Sequence, residues 1–448
     1  MAAGFADVLI GLQYGDEGKG RIVDAIARDY NIVARFNGGA NAGHTVVVEG
    51  LNLALALIPS GVINQSASLY IGSGCVVDLA ALAKEIQMVE AAGLSVRPRL
   101  RISPYTSIVQ PHHIFLDRAF SSDIGTTGNG IGQAYADRAL RMIAGELLNI
   151  RCIDLLQNEF SVVEQMLRNL ENATKLYPSI ERPKRSVIVQ TISEAIELVR
   201  PLITTDPLYL SDAVEKGASV LFEGAQSYEL DVARGIVPYV TASHTCAGYA
   251  YTGGDVPPKF HRKTIGVAKT IMSRVGKGPF ASELGGTRSE EYCMAENGRR
   301  HNRDYEKKSY DAEKLLKSDD DFELGIGLRM VCGEYGTRTG RPRRIGVFDL
   351  EQLKKAVRAN YIDELYLTRC DLLEHFRRTK RAEIPLRTPG SSDTNGTSIA
   401  FENAWELQNA QSLPRELEKL VTMTEQSCGV TVRGIGVGPE RSQLIECR

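Results

Sequence analysis

Short apolar runs, most of them closed by glycine, alternate along this chain with longer stretches whose apolar residues recur every three or four positions. ADVLIGL (6–12) is the first run; it opens into GDEGKG (15–20), and GKGRIVDAIARDY (18–30) continues with helical spacing. NIVARF (31–36), TVVVEG (45–50), LALALIPSGV (53–62) and ASLYIGSG (67–74) predict further strands. Residues 78–93 predict an amphipathic helix with a glycine stop, and 152–218 predict largely polar helix carrying no readable chemistry. Apolar strands return at SVLFEGAQ (219–226), TIGVAKTI (264–271), ELYLTRCD (364–371) and VTVRGIGVGP (430–439). Strand, glycine loop, then helix predicts a phosphate-binding α/β sheet with its ligands at the carboxyl ends of the strands. The stretch 298–321, dense in both charges, predicts a solvated surface segment or helix.

No internal repeat, proline-rich linker or low-complexity tail divides the 448 residues, so one domain is expected over 1–448, with 152–218 as a mainly helical insertion. Composition changes this picture little. Hydrophobic residues make up 43% and charged residues 24%, as in ordinary globular proteins, and a formal net charge of −2 supplies no global field to recruit nucleic acid or an acidic membrane. No run of 18 apolar residues occurs, and the first residues read as a strand rather than a leader, so a membrane partner is not expected. The eight cysteines are scattered without a Cys-x-x-Cys pair, which predicts a reducing, cytoplasmic setting and no structural zinc site.

Chemistry concentrates in the glycine loops. GLQYGDEGKG (11–20) has a Gly-Lys pair after a strand but not the P-loop spacing, and Asp16 and Glu17 stand where phosphate would be repelled. A carboxylate there is tolerable if it holds Mg²⁺ or faces a group that must lose a proton. NGGANAGHT (37–45) sets Asn41 and His44 among small residues, and IGTTGNGIG (124–132) offers Thr127 with Arg141 downstream. Taken singly, each is equally a satisfied loop histidine or a surface turn. FEGAQ (222–226) places Gln226 after a buried strand, with Thr241 further on. GEYGTRTGRPRR (333–344) gathers Arg341, Arg343 and Arg344 in a cluster suited to a carboxylate and a phosphoryl group. In LTRCD (367–371), Asp371 at a strand end has the form of a guanine-reading carboxylate.

GDEGKG, NAGHT, IGTTGNGIG, FEGAQ…PYVT, RVGKGPF and GTRTGRPRR…FD run in one order over almost the whole chain, and together they resemble the adenylosuccinate synthetase family. That resemblance implies a single large α/β domain around a long, mostly parallel twisted sheet, working as a cytoplasmic homodimer in purine biosynthesis. It implies a carbon–nitrogen ligase that uses GTP to join L-aspartate to C6 of IMP through a 6-phosphoryl intermediate, with Mg²⁺ held by Asp16 and the Gly43 carbonyl. The matching positions make Asp16, His44 and Gln226 catalytic. Glu17, Gly18, Lys19, Gly20, Gly43, His44, Thr45, Arg343, Arg369, Asp371, Gly436 and Gly438 match the GTP site. Asp16, Asn41, Thr127, Gln226, Thr241 and Arg341 match IMP contacts, and Arg141 matches an arginine that reaches the neighbouring subunit's IMP. Thr337, Arg338, Thr339, Gly340 and Arg341 match the aspartate loop.

The chain departs from the family pattern at several of these places. Tyr14 stands for a tryptophan, Ser227-Tyr228-Glu229 follow FEGAQ in place of Gly-Thr-Leu, Arg338 replaces a threonine, Arg369 a lysine and Gly436 a serine. Two other expectations therefore stand beside the main one. One is the same chemistry on another 6-oxopurine nucleotide such as dGMP, or with ATP as donor; the other is a GTP-binding sensor without turnover.

Overall fold

The computed structural model describes all residues except 1–2, 49–50, 125, 179–180, 182, 295–296, 298–299, 337–339, 391–396, 403–404, 406–412 and 448. Eleven strands concern the site: β1 (Phe5–Gly11), β2 (Ile32–Arg35), β3 (His44–Val48), β4 (Leu51–Leu55), β5 (Ser68–Ile71), β6 (Leu100–Ile102), β7 (Ser219–Ser227), β8 (His261–Lys269), β9 (Glu364–Thr368), β10 (Thr431–Gly436) and β11 (Leu444–Glu446). Nine of them form one sheet in the order β11-β10-β9-β8-β1-β7-β2-β5-β6, parallel throughout except for β11. β3 and β4 were expected as sheet strands; they instead pair with each other as a separate antiparallel hairpin, which carries His44 off the sheet plane.

Alternation along the strands buries both faces. Ala6, Val8 and Ile10 of β1 join Ile32, Ala34, Val220 and Phe222 in one apolar cluster, while Leu9 joins Val33, Leu69, Leu221 and Val267 in the other. Such two-sided burial is what a parallel sheet covered by helices requires. Helix α1 (Lys19–Ile26) lies on the second face through Ile22 and Val23, and α2 (Leu79–Ala91) starts at Asp78, whose carboxylate accepts from Ala80 N and Ala81 N. Helices α3 (Pro111–Ile124) and α4 (Ile131–Leu140) flank the third glycine loop. Residues 152–218 contain α5 (Cys152–Leu176), α6 (Arg185–Val199) and α7 (Tyr209–Glu215).

The charged stretch 298–321 is not simply solvated. Its Glu306 is fully buried, accepting from Arg329 Nη2 at 2.6 Å and from Tyr335 Oη at 2.6 Å. It therefore props the basic loop from beneath.

Candidate active site

Because β1, β2, β7, β8, β9 and β10 are parallel, the loops after β1, β2, β7, β9 and β10 emerge at one edge. The first of them resolves the question of its two acids. Glu17 turns inward and is completely buried: Gln13 N and Gly15 N donate to Oε1 at 3.2 and 2.8 Å, and Lys19 Nζ and Ser227 Oγ donate to Oε2 at 2.8 and 2.6 Å. Burial alone would raise its pKa, but the Lys19 ammonium holds it below the usual carboxylate range. Gly11 is required here, since a Cβ on it would lie 2.4 Å from Glu17 Oε2. The Glu17 carboxylate is thus a bracket that shapes the loop, with the Glu17 carbonyl accepting from Thr368 Oγ1 at 2.6 Å. Asp16, in left-handed conformation at φ 58°, is thrown outward, with Oδ2 3.0 Å from Arg343 Nη2.

Gly18, also left-handed, leads into α1, leaving the N–H groups around Gly18, Lys19 and Gly20 at a helix start, where an anion is bound well. A Cβ on Gly20 would lie 3.0 Å from His44 Cβ, so the histidine borders this cradle. His44 Nδ1 lies 2.5 Å from Glu223 Oε1, and Glu223 also accepts from Ser60 N at 2.7 Å and Ser60 Oγ at 2.5 Å. Burial opposes the Glu223 charge, yet His44, Arg35 and Ser60 hold its carboxyl down at about 2. Burial likewise pushes the His44 imidazole below its ordinary value against the pull of Glu223. The pair fixes Nδ1 as the hydrogen-bonded nitrogen and leaves Nε2 for chemistry.

A second group forms where the loops after β2 and β7 meet. A Cβ on Gly38 would lie 3.0 Å from Gln226 Oε1 and 3.6 Å from Asn41 Oδ1, and Asn41 Nδ2 donates to Thr241 Oγ1 at 3.4 Å. Gln226, at φ 53°, keeps a buried Nε2 with no partner among the described residues, a donor held ready for a ligand. Asn129 Nδ2 donates to Ala40 O at 3.0 Å, which brings the third loop alongside; Thr127 on it is exposed.

Arg141 lies just past the end of α4, exposed and at φ 65°. The expected arginine cluster is split. Arg344 is buried against Glu283, donating from Nε to Oε1 at 2.7 Å, and serves the fold. Arg343 donates to Glu334 Oε2 at 2.8 Å as well as facing Asp16, and Arg341 Nε donates to Cys293 O at 3.1 Å. Gly340 closes its turn on Gly336 O at 2.8 Å; Thr337, Arg338 and Thr339 lie outside the described residues. Of Thr45 only the main chain, in β3, is described. Gly43 is exposed beside His44.

At the ends of β9 and β10, Arg369 takes φ 58° and brings Nη2 3.6 Å from Glu334 Oε1. Asp371 Oδ1 is buried with no partner among the described residues, and burial raises its pKa. Gly436 and Gly438 lie opposite on β10 and its following turn.

Three residues escaped the sequence reading. Glu223 sits inside FEGAQ, Glu334 inside GEYG, and Lys269 inside the apolar run of β8. Burial works against the Glu334 charge, but Lys269, Arg343 and Arg369 hold its carboxyl at about 2, and Ser273 Oγ adds a hydrogen bond of 2.8 Å. A lysine in a buried strand was the available signal, because such a charge must have a partner.

An adenylosuccinate synthetase family model matches residues 8–385. "Adenylosuccinate synthetase 2" of Cupriavidus pinatubonensis is 47% identical over 446 residues, covering 98% of this chain and 97% of its own. The chain belongs to the adenylosuccinate synthetase family. The adenylosuccinate synthetase of Chlorobium chlorochromatii is 34% identical over 98% of this chain and 97% of its own. Among solved structures, the fully ligated adenylosuccinate synthetase from Plasmodium falciparum superposes with a TM-score of 0.79 at 27% identity, covering 99% of this chain and all of that one. Cyanophage S-2L succinoaminodeoxyadenylate synthetase, bound to dGMP and dATP, shares the fold with a TM-score of 0.60 at 20% identity, over 99% of this chain and 96% of that one. The adenylosuccinate synthetase fold thus spans nearly the whole chain, and no helix among the described residues is long and apolar enough to cross a membrane.

Proposed function

We propose that this chain is a GTP-dependent ligase that joins L-aspartate to C6 of IMP, giving adenylosuccinate, GDP and phosphate. The observation that carries the reading is the opposed placement of the two loop acids: Glu17 is consumed by the fold, while Asp16 is presented outward beside Arg343. Asp16 takes the proton from N1 of IMP, and the freed electron pair moves onto O6. O6 attacks the γ-phosphorus of GTP as GDP departs, with Arg343 leaving Asp16 for the moving phosphoryl group. His44, held through Nδ1 by the ionised Glu223 and carried as the imidazolium once the GTP phosphates add their charge beside it, donates the Nε2 proton to the departing β–γ bridge side. The aspartate amine then attacks C6 and expels phosphate, a far better leaving group than the original carbonyl oxygen.

Gln226, Asn41 and Thr241 hold the IMP base and sugar, with Thr127 at its phosphate, and Gly18–Gly20, Thr45 and Gly43 surround the GTP phosphates. Arg369, Asp371, Gly436 and Gly438 take the guanine, and the 337–341 loop with Arg341 takes aspartate. The Asp16 carboxylate and Gly43 carbonyl are exposed, hard oxygen donors of the kind Mg²⁺ accepts. Mg²⁺ there would spread charge on the transferring phosphoryl group. We further propose a cytoplasmic homodimer in which Arg141 reaches the neighbouring IMP, and one functional unit over 1–448 with 152–218 as its helical insertion.

The test is product identification by mass spectrometry, with Mg²⁺ and L-aspartate and with IMP or dGMP crossed against GTP or ATP. Adenylosuccinate from IMP and GTP only is the expected result. Product from dGMP, or with ATP, moves the chain to a specialised branch with the same chemistry. Nucleotide binding without product in any combination replaces the ligase with a sensor.

A further inference from the structure

We propose that Arg21 is a specificity-determining residue of the nucleoside triphosphate site, reading the 6-oxo edge of guanine together with Asp371. The proposal rests on the reading above that places the base of the nucleotide at Asp371. Arg21 lies in the first turn of α1, immediately after the glycine cradle, and its Nη2 donates to Glu440 O at 3.1 Å. One turn on, Asp24 accepts from Arg441 Nε at 3.0 Å and Nη2 at 2.6 Å. This face of α1 is therefore stapled to the turn after β10, and the Arg21 guanidinium is carried to the base end of the site.

Gly436 is what admits it. A Cβ at Gly436 would lie 2.4 Å from Arg21 Nη1, so the serine that the family carries at this position could not coexist with the guanidinium in this pose. Arg21 and Asp371 lie close enough for their charges to act on each other, and each keeps a buried polar atom without a partner among the described residues: an acceptor, Asp371 Oδ1, and a donor, Arg21 Nε. Unsatisfied groups of opposite kind in one neighbourhood point to a ligand that supplies both complements.

Guanine does so: its N1–H and 2-amino group donate, and its O6 and N7 accept. Adenine would set an N1 lone pair against the carboxylate and its 6-amino group against the guanidinium, leaving both unpaired, which is the costly kind of mismatch. The spacing is right as well. β9 and β10 lie two and three strands from β1, about 10 and 14 Å at the ordinary strand separation, which is the reach of a nucleotide from the cradle to its base.

The test measures dissociation constants of GDP, IDP, ADP and IMP by titration calorimetry on the full chain, for the wild type, Arg21→Ala, Gly436→Ser and the double variant. Loss of one charge-assisted contact predicts that Arg21→Ala weakens GDP and IDP alike by about 10- to 100-fold, leaving ADP and IMP within about twofold. Gly436→Ser alone should weaken GDP similarly, because its side chain displaces the guanidinium. In the Arg21→Ala background it should cost nothing more and restore part of the affinity. Parallel weakening of all four ligands would make Arg21 a structural residue and overturn the proposal. So would unchanged GDP binding in Arg21→Ala, or a wild type that binds ADP as tightly as GDP. Calorimetry reads the base pocket whether or not adenylosuccinate forms, so failure here and failure of the ligase reading are separate results.

Discussion

The phosphate loop (12–20) and the basic loop (333–344) face each other across Asp16 and Arg343, yet their buried carboxylates are held in different ways. In the first, the Glu17 carboxylate is bracketed by Gln13, Gly15 and Lys19, with Ser227 its one distant donor, while the loop itself is tied to the rest of the fold through Lys269, Gln352 and Thr368. The second hangs on partners far away in sequence. Glu334 meets Lys269 and Arg369, Arg344 meets Glu283, and Glu306 supports Arg329 and Tyr335. A carboxylate bracketed by its own loop tolerates change elsewhere; one suspended on buried ion pairs transmits damage from remote positions.

The largest effect is expected where the two loops meet. Asp16→Ala should lower kcat by about 10²- to 10⁴-fold, the ordinary worth of a positioned general base, while GTP binding changes little. Turnover near wild type would remove Asp16 from the chemistry. Glu306→Gln, outside the site, should destabilise the protein by about 3–5 kcal/mol because it strands a buried Arg329, measurable by denaturant unfolding. If it instead leaves stability unchanged, the basic loop is not suspended as described.

Glu223→Gln should cost about 10- to 100-fold in kcat with little change in nucleotide KM, since it loosens the orientation and basicity of His44. The acid limb of stability follows from the same carboxyls. Glu223 and Glu334 are held at about 2 in the fold against 4.5 when free, so their contribution is present above pH 4.5 and is lost as pH falls towards 2. A chemical-denaturation series over that window should show a steeper loss for the wild type than for Glu223→Gln. Smallest is Ser227→Gly, which removes one hydrogen bond from Glu17 and restores the family's residue; about 1 kcal/mol or less is expected.

The same contrast explains what the sequence revealed. Strands such as ADVLIGL and helices such as 78–93 were legible because periodicity is local, and GDEGKG because its spacing is. Glu17 was read as a nucleotide ligand because no sequence pattern tells which of two adjacent acids points inward; the φ of 58° at Asp16 decides it. The burial of Glu306 and the separation of Arg343 from Arg344 depend on contacts dozens to hundreds of residues apart, whereas β3 and β4 are a local hairpin whose apolar runs read no differently from sheet strands. Lys269 gave a local sign of a distant partner, whereas Glu334 gave none.

The central claim, that Asp16 starts the reaction by taking the N1 proton so that O6 can attack GTP, is tested most directly by positional isotope exchange. GTP labelled with ¹⁸O at the β–γ bridge is incubated with Mg²⁺ and IMP but no aspartate. Scrambling of the label that requires IMP, persists in Ser227→Gly and disappears in Asp16→Asn is the predicted result. Scrambling at the wild-type rate in Asp16→Asn, or without IMP, would contradict it.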